Sequence, residues 1–217
     1  MGLIRQVFRR SFEHVEDYAA AWAASNEVAH TGEGPLWVVL GDSAAQGVGA
    51  SSHLSGYVGV VRDRLQARDG RPWRVVNLSR SGARTREVVD VQWPVAAGLS
   101  ADLVTALVGG NDALRTREPV WRRDAHDLCT TLPSGAVVGT VARGVFERKT
   151  RRVNALIQAC AKERGLRVAD LWQHTGPPYK GLYFDGFHPN DQGYLQWAAA
   201  LEEALPPPPG DPRPRPR

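Results

Sequence analysis

Ser43, Gly82, Asn111, Asp185 and His188 are the residues of this chain whose types and settings add up to a chemistry. A free serine hydroxyl is a weak nucleophile and needs a base beside it. His188 is a candidate for that base. Asp185 stands three residues earlier, so one turn lets its carboxylate accept the imidazole Nδ1–H, fix the tautomer and stabilise the imidazolium. A tetrahedral oxyanion then needs donors, and the backbone N–H groups of Ser43 and Gly82 and the side-chain amide of Asn111 are suited to supply them. Glycine at position 82 lets the backbone approach a substrate closely. Taken singly, these signals are ordinary. A serine after a strand commonly caps a helix, a Gly-Gly-Asn-Asp run commonly makes a turn, and Asp-x-x-His is commonly a surface pair. Their weight lies in where they fall together.

The chain alternates between strand and helix from Leu36 onward. Leu36–Leu40 is a continuous apolar run, as expected of a strand buried on both faces. Further strands are expected at Arg74–Leu78, Asp102–Val108, Ala136–Val141 and Leu166–Leu171. Helices are expected at Leu54–Arg68, Thr85–Val91, Arg122–Thr131, Arg151–Arg164 (ended by Gly165) and Asp191–Leu205. This order predicts a three-layer α/β fold on a parallel sheet. Such sheets carry their sites just beyond the carboxyl ends of the strands. Gly41-Asp42-Ser43 follows the first strand, Ser79 to Gly82 the second and Gly109-Gly110-Asn111-Asp112 the third.

Before this domain, residues 1–30 place Leu3, Ile4, Val7, Phe8, Phe12, Val15, Tyr18 and Trp22 at helical spacing. The expectation is an amphipathic helical extension docked on the domain of residues 36–205. A second reading lets Arg5, Arg9 and Arg10 make weak contact with a lipid surface, without insertion. After Pro206, a Pro/Arg-rich tail over residues 206–217 cannot build a core and is expected to be solvated and disordered.

Composition narrows the function classes. Two cysteines, Cys129 and Cys160, exclude a disulfide scaffold and fit a reducing compartment. No run approaches the ~18 apolar residues of a membrane span, and the charged N-terminus has no signal-peptide core. A cytoplasmic location is expected. The formal charge is +4, but Arg213, Arg215 and Arg217 against Asp211 put +2 of it in the tail. The remainder is too little for a nucleic-acid footprint. His14, His30, His53, His126 and His174 have no metal-ligand spacing, so neither metal nor cofactor is expected. Asp42 and Asp112 are expected to bind loop backbone. The 41–49 segment lacks the Lys-Ser/Thr ending of a phosphate loop, and Ser52 stands where a third glycine would be needed. Ala45 breaks the G-x-S-x-G elbow of the larger α/β hydrolases.

The set resembles the SGNH hydrolases, also called GDSL-type esterases. Gly41-Asp42-Ser43-Ala44, Asn77 to Gly82, Gly110-Asn111-Asp112 and Asp185-Gly186-Phe187-His188-Pro189 are similar to that family's blocks, with Ala44 in place of the usual leucine. The resemblance covers about Leu36 to Leu205. It implies an α/β/α sandwich with a parallel, flavodoxin-like five-stranded sheet. It also implies metal-free hydrolysis of short acyl esters by Ser43, His188 and Asp185, with Ser43, Gly82 and Asn111 forming the oxyanion hole. The partner implied is a small-molecule ester. Two alternatives keep the same residues: an acyltransferase that excludes water, and a non-catalytic acyl- or carbohydrate-binding protein of the same fold. Tyr179, Tyr183 and Phe184 are candidates for an acyl-pocket wall. Arg115, Arg117, Arg122 and Arg123 are candidates either for a solvated face or for drawing in anionic substrates.

Overall fold

The structure, a computed structural model, describes residues 2–144 and 146–208, with side chains from His14 onward. The side-chain pattern expected of residues 3–12, including Arg5, Arg9 and Arg10, and the tail from residue 209 therefore lie outside the described part.

Five parallel strands form the centre: β1 (Leu36–Gly41), β2 (Arg74–Asn77), β3 (Leu103–Leu107), β4 (Val137–Gly139) and β5 (Arg167–Ala169), in the order β2-β1-β3-β4-β5. This is the flavodoxin-like order, and the expected α/β/α sandwich is what the chain adopts. Side chains alternate across each strand. Trp37 and Val39 of β1 enter one core, and Leu36, Val38 and Leu40 the other. Trp37 has no exposed surface, and its indole N–H donates to Thr105 Oγ1 of β3 at 2.9 Å. The partner on the neighbouring strand removes the cost of burying that N–H.

Helices cover both faces. Ser43 opens a single turn, α2 (Ser43–Gln46), and α3 (Tyr57–Asp69) follows a 3₁₀ turn at His53–Ser55. Tyr57, Val58, Val61 and Leu65 of α3 pack into the Trp37 core, and Gly70 ends the helix in the left-handed conformation. Thr85 to Ala96 is helical throughout, as α4 (Thr85–Glu87), a π turn at Val88–Gln92 and α5 (Trp93–Ala96). The helix expected over Thr85–Val91 therefore runs on past Pro94, which stands in the first turn of the short α5, directly after the π turn. Next come α6 (Gly110–Arg115), α7 (Glu118–Thr131), α8 (Glu147–Arg164), α9 (Leu171–His174) and α10 (Asp191–Ala204). α7 and α8 pack on the Val38 core and α10 on the Trp37 core.

The first helix, α1 (Gly2–Thr31), runs along β2 with its N-terminal end toward the carboxyl ends of the strands. Arg74 Nη1 donates to Ala29 O, and Asn26 pairs its amide with the backbone of Asn77, donating to its carbonyl at 2.9 Å and accepting from its N–H at 2.8 Å. Trp22 Nε1 donates to Gln46 O at 3.0 Å and Tyr18 OH to Ala50 O at 2.8 Å. His14 stacks on Phe184 at 5.0 Å. Among the described residues, no helix is long and apolar enough to cross a membrane.

Candidate active site

The strand order reverses at β1 and β3, because β1 leads to β2 on one side and β3 leads to β4 on the other. Loops part there and leave a crevice at the carboxyl ends. Ser43 sits at the mouth of that crevice, flanked by the 79–85 loop after β2 and by α6 after β3. Gly82 lies in the first of these and Asn111 in the second.

Ser43 is only 4% exposed. Asp42 caps its turn, accepting Ala44 N–H at 3.0 Å, as expected of an aspartate at that position. Burial pushes the Asp42 carboxyl up to about 6, against the opposing pull of the Ala44 N–H and of His188. Asp112 also serves the backbone. Its Oδ2 accepts from Thr85 N at 2.8 Å and from Thr85 Oγ1 at 2.9 Å, and its Oδ1 accepts from Thr116 Oγ1 at 2.9 Å. Burial raises its pKa as well. Asn111 is buried and spends one amide N–H on Ala83 O at 3.1 Å. The backbone N–H groups of Ser43 and Gly82 have no protein acceptor among the described residues.

Gly82 owes its identity to conformation more than to crowding. Its φ is +81°, and a Cβ there would meet nothing within 4 Å. Ala83 N donates to Arg80 O at 3.0 Å, which closes a turn with Gly82 at its third position. Ser81 is not among the positive-φ residues, so this is a type II turn, which requires φ above zero at that third position.

His188 arrives from the far side of the sheet, on the loop between α9 and α10. Its Nε2 lies 2.9 Å from Ser43 Oγ, and its Nδ1 lies 2.6 Å from Asp185 Oδ2. A carboxylate can only accept, so Nδ1 carries the proton and Nε2 is left to accept from the serine. Asp185 Oδ1 takes the N–H of Phe187 at 2.9 Å and of His188 at 2.7 Å, so one short loop fixes its own aspartate and histidine. The Asp185 side chain is 5% exposed and that of His188 16%. Close docking of this loop depends on Gly49, whose φ is +97°; a Cβ there would fall 2.4 Å from Pro189 O and 3.0 Å from His188 Cβ. Tyr194 OH adds a bond to Val48 O at 2.7 Å.

A cavity of about 310 Å³ opens beside Ser43 and His188. Leu107, Val141, Leu171, Tyr183, Phe187 and Trp197 give it mainly apolar walls. Tyr179 and Tyr183 line it as the aromatic segment suggested, whereas Phe184 turns away to stack on His14. None of Arg115, Arg117, Arg122 and Arg123 lines it. The basic residue that does is Arg143, whose guanidinium carbon lies 5.1 Å from the Trp172 ring centre. No group of three or more potential metal ligands occurs among the described residues.

Ser43, His188 and Asp185 are thus joined by hydrogen bonds beside the cavity, whereas Gly82 and Asn111 lie on the adjoining loop and helix, linked through Ala83 O, and neither lines the cavity. Two buried glutamines beside them escaped the sequence reading. Gln92, placed by the π turn, donates to Gly41 O and accepts from Gly41 N, both at 2.8 Å. Gln46 reaches the 79–82 loop. The one signal for Gln46 was a long polar residue three places after Ser43 in an otherwise small-residue stretch.

No curated protein sequence matches the chain. Solved structures resemble it in fold. TesA superposes with a TM-score of 0.67 at 20% identity, covering 78% of this chain and 97% of that one. Axe2, an acetylxylan esterase from Geobacillus stearothermophilus, gives 0.66 at 22%, covering 80% and 94%. LAE5, an enzyme from a Lake Arreo metagenome, gives 0.63 at 23%, covering 81% and 97%. The model of the GDSL-like Lipase/Acylhydrolase family matches residues 39–196, a stretch that includes Ser43, Gly82, Asn111, Asp185 and His188. That match spans well over half of the chain, which therefore belongs to this family of SGNH-type ester hydrolases.

Proposed function

We propose that the protein hydrolyses short-chain acyl esters through a covalent acyl-Ser43 intermediate. The observation that carries this reading is the unbroken relay from Asp185 through His188 to Ser43, at 2.6 and 2.9 Å, at the mouth of an apolar cavity. His188 Nε2 takes the hydroxyl proton as Ser43 Oγ bonds to the ester carbonyl carbon. Asp185 holds the imidazolium that results, without itself taking the proton. The carbonyl oxygen gains negative charge and is met by Ser43 N–H, Gly82 N–H and the second amide N–H of Asn111. Collapse expels the alcohol, which leaves with the proton from His188. Water then repeats the sequence on the acyl-enzyme and releases the acid.

The acyl group is assigned to the cavity, where Leu107, Val141 and Leu171 meet it. Its volume is about ten times that of a water molecule in the liquid. That is room for a chain of several carbons. Axe2 acts on acetylated xylan by name, so the shared fold leaves chain length to the cavity.

The test is a series of p-nitrophenyl esters from acetate upward, together with a serine-directed phosphonate. The phosphonate should label Ser43, and kcat/KM should pass through a maximum within the short chains. Labelling of another residue, or a folded protein inert on every ester, would overturn the reading. An added alcohol that captured the acyl group in preference to water would assign acyl transfer instead.

A further inference from the structure

Gln46 ties together two loops that have to act as one. It is 4% exposed, on the turn that carries Ser43. Its Nε2 donates to Ser79 O at 3.1 Å, and its Oε1 accepts from Ser81 Oγ at 2.5 Å. Its own carbonyl is held by Trp22 Nε1. The 79–85 loop is gripped on its other side by Asp112 and Asn111. From the Ser43 side the loop is also held by Arg80 N–H on Gly41 O at 3.3 Å and by Asn77, which donates to Ala45 O and accepts from Ser79 N–H; Gln46 supplies the side-chain link that reaches Ser81.

The place of that link matters because of the turn it holds. In the Arg80–Ala83 turn, Ser81 and Gly82 are the central residues, and the peptide between them carries the Gly82 N–H. Type I and type II turns differ by a flip of that central peptide. The flip would aim the Gly82 N–H at the crevice or away from it. With Arg80 N–H fixed on Gly41 O, a hydroxyl anchored at Ser81 and a carbonyl anchored at Ser79 complete the set of bonds that orient the turn against Ser43.

We propose that Gln46 is a positioning residue, which through Ser79 and Ser81 holds the Ser81–Gly82 peptide with its N–H facing the developing oxyanion. This rests on the reading of Gly82 N–H as an oxyanion donor. Gln46 touches no substrate. Its effect is exerted on the transition state, where a donor slightly out of place loses most of its worth.

Gln46→Met keeps length and apolar bulk but loses both bonds, and Ser81→Ala loses one. The expected result for Gln46→Met is a 10- to 50-fold fall in kcat at unchanged KM, with a matching loss of affinity for a boronic acid that mimics the tetrahedral state. Affinity for the carboxylate product should stay within twofold. Ser81→Ala should fall about 5-fold, and the double variant should be no worse than Gln46→Met alone, because the two residues act through one contact. Additive losses, a change confined to KM, or product and boronate affinities falling together would overturn the proposal. Should Gln46→Met fail to fold, the half-buried Ser81 decides alone: kcat within 1.5-fold of wild type in Ser81→Ala overturns it. Ser43→Ala and Asn111→Ala are run in parallel. If they too retain activity, it is the reading of the site that fails; if they lose it and Gln46→Met does not, only this inference fails.

Discussion

Ser43 and Asn111 sit buried at two strand ends, and the 79–85 loop sits at a third. Although Arg80, Gly82 and Arg84 are exposed in it, that loop is pinned through buried Ser79, Ala83 and Thr85 and cross-tied by Gln46, Asn111 and Asp112. His188 instead rides a loop in which Gly186 and Phe187 are exposed, and whose main ties are its own: Asp185 to Phe187 and His188, and Phe184 N–H to His188 O at 2.9 Å. Under the proposed mechanism the two halves answer different demands. Oxyanion donors help only if they are in place before charge develops, since any reorganisation would be charged against the barrier. A general base has to face first the serine and then the leaving group. It needs a fixed tautomer more than a fixed frame, and a self-contained Asp-x-x-His loop supplies that.

The comparison breaks first at the contact between the halves. Ser43→Ala and His188→Ala should each lower kcat by about 10³-fold or more with little change in melting temperature. A variant that unfolds would show instead that the Ser43–His188 contact also holds the loop down. Asp185→Asn attacks the loop half alone. The asparagine oxygen is drawn to the two backbone N–H groups, its NH₂ then faces Nδ1, and the imidazole is driven to the wrong tautomer. The expected loss in kcat/KM is about 10²- to 10³-fold. A near-wild-type rate would mean that another acceptor holds Nδ1. Asn111→Ala attacks the buried half, and kcat should fall by about 10²-fold at nearly constant KM. A pure KM effect would make Asn111 a ground-state contact.

The smallest effect expected is on stability. Asp42 keeps its proton in the fold up to about pH 6, whereas an unfolded chain releases it near the ordinary carboxyl value of 3.8. In that window the folded state binds more protons, so stability falls as pH rises through it, by about 3 kcal/mol at most. Asp42→Asn keeps an oxygen for Ala44 N–H and removes the charge. Urea unfolding should show the variant matching wild type near pH 4 and exceeding it by about 1–3 kcal/mol above pH 7. A gap independent of pH would mean that the Asp42 charge is well compensated in the fold.

What sequence made legible follows the same division. The strands stood out because Leu36–Leu40 and its counterparts are short apolar runs, and the site residues because they follow those runs. Helix starts were harder. α7 begins at Glu118, behind Pro119, and α8 at Glu147, where Glu-Arg-Lys-Thr offers no apolar period. The ties within the buried half were illegible. Gln46 reaches Ser79 and Ser81 only because β1 and β2 are neighbours, and Gln92 reaches Gly41 of β1 only because the π turn swings it inward. The loop half was legible because its geometry is local: Asp185 and His188 lie within one turn.

The amide of Asn26 on the Asn77 backbone has a consequence for solubility. β2 is the outermost strand on its side of the sheet, and an outermost strand with free N–H and C=O groups is a template for pairing with another copy. With α1 laid along it, that template is occupied within the same chain. A chain shortened to begin at Pro35 would present a bare strand and the uncovered indole contact of Gln46, and self-association rising with concentration is the outcome expected of it.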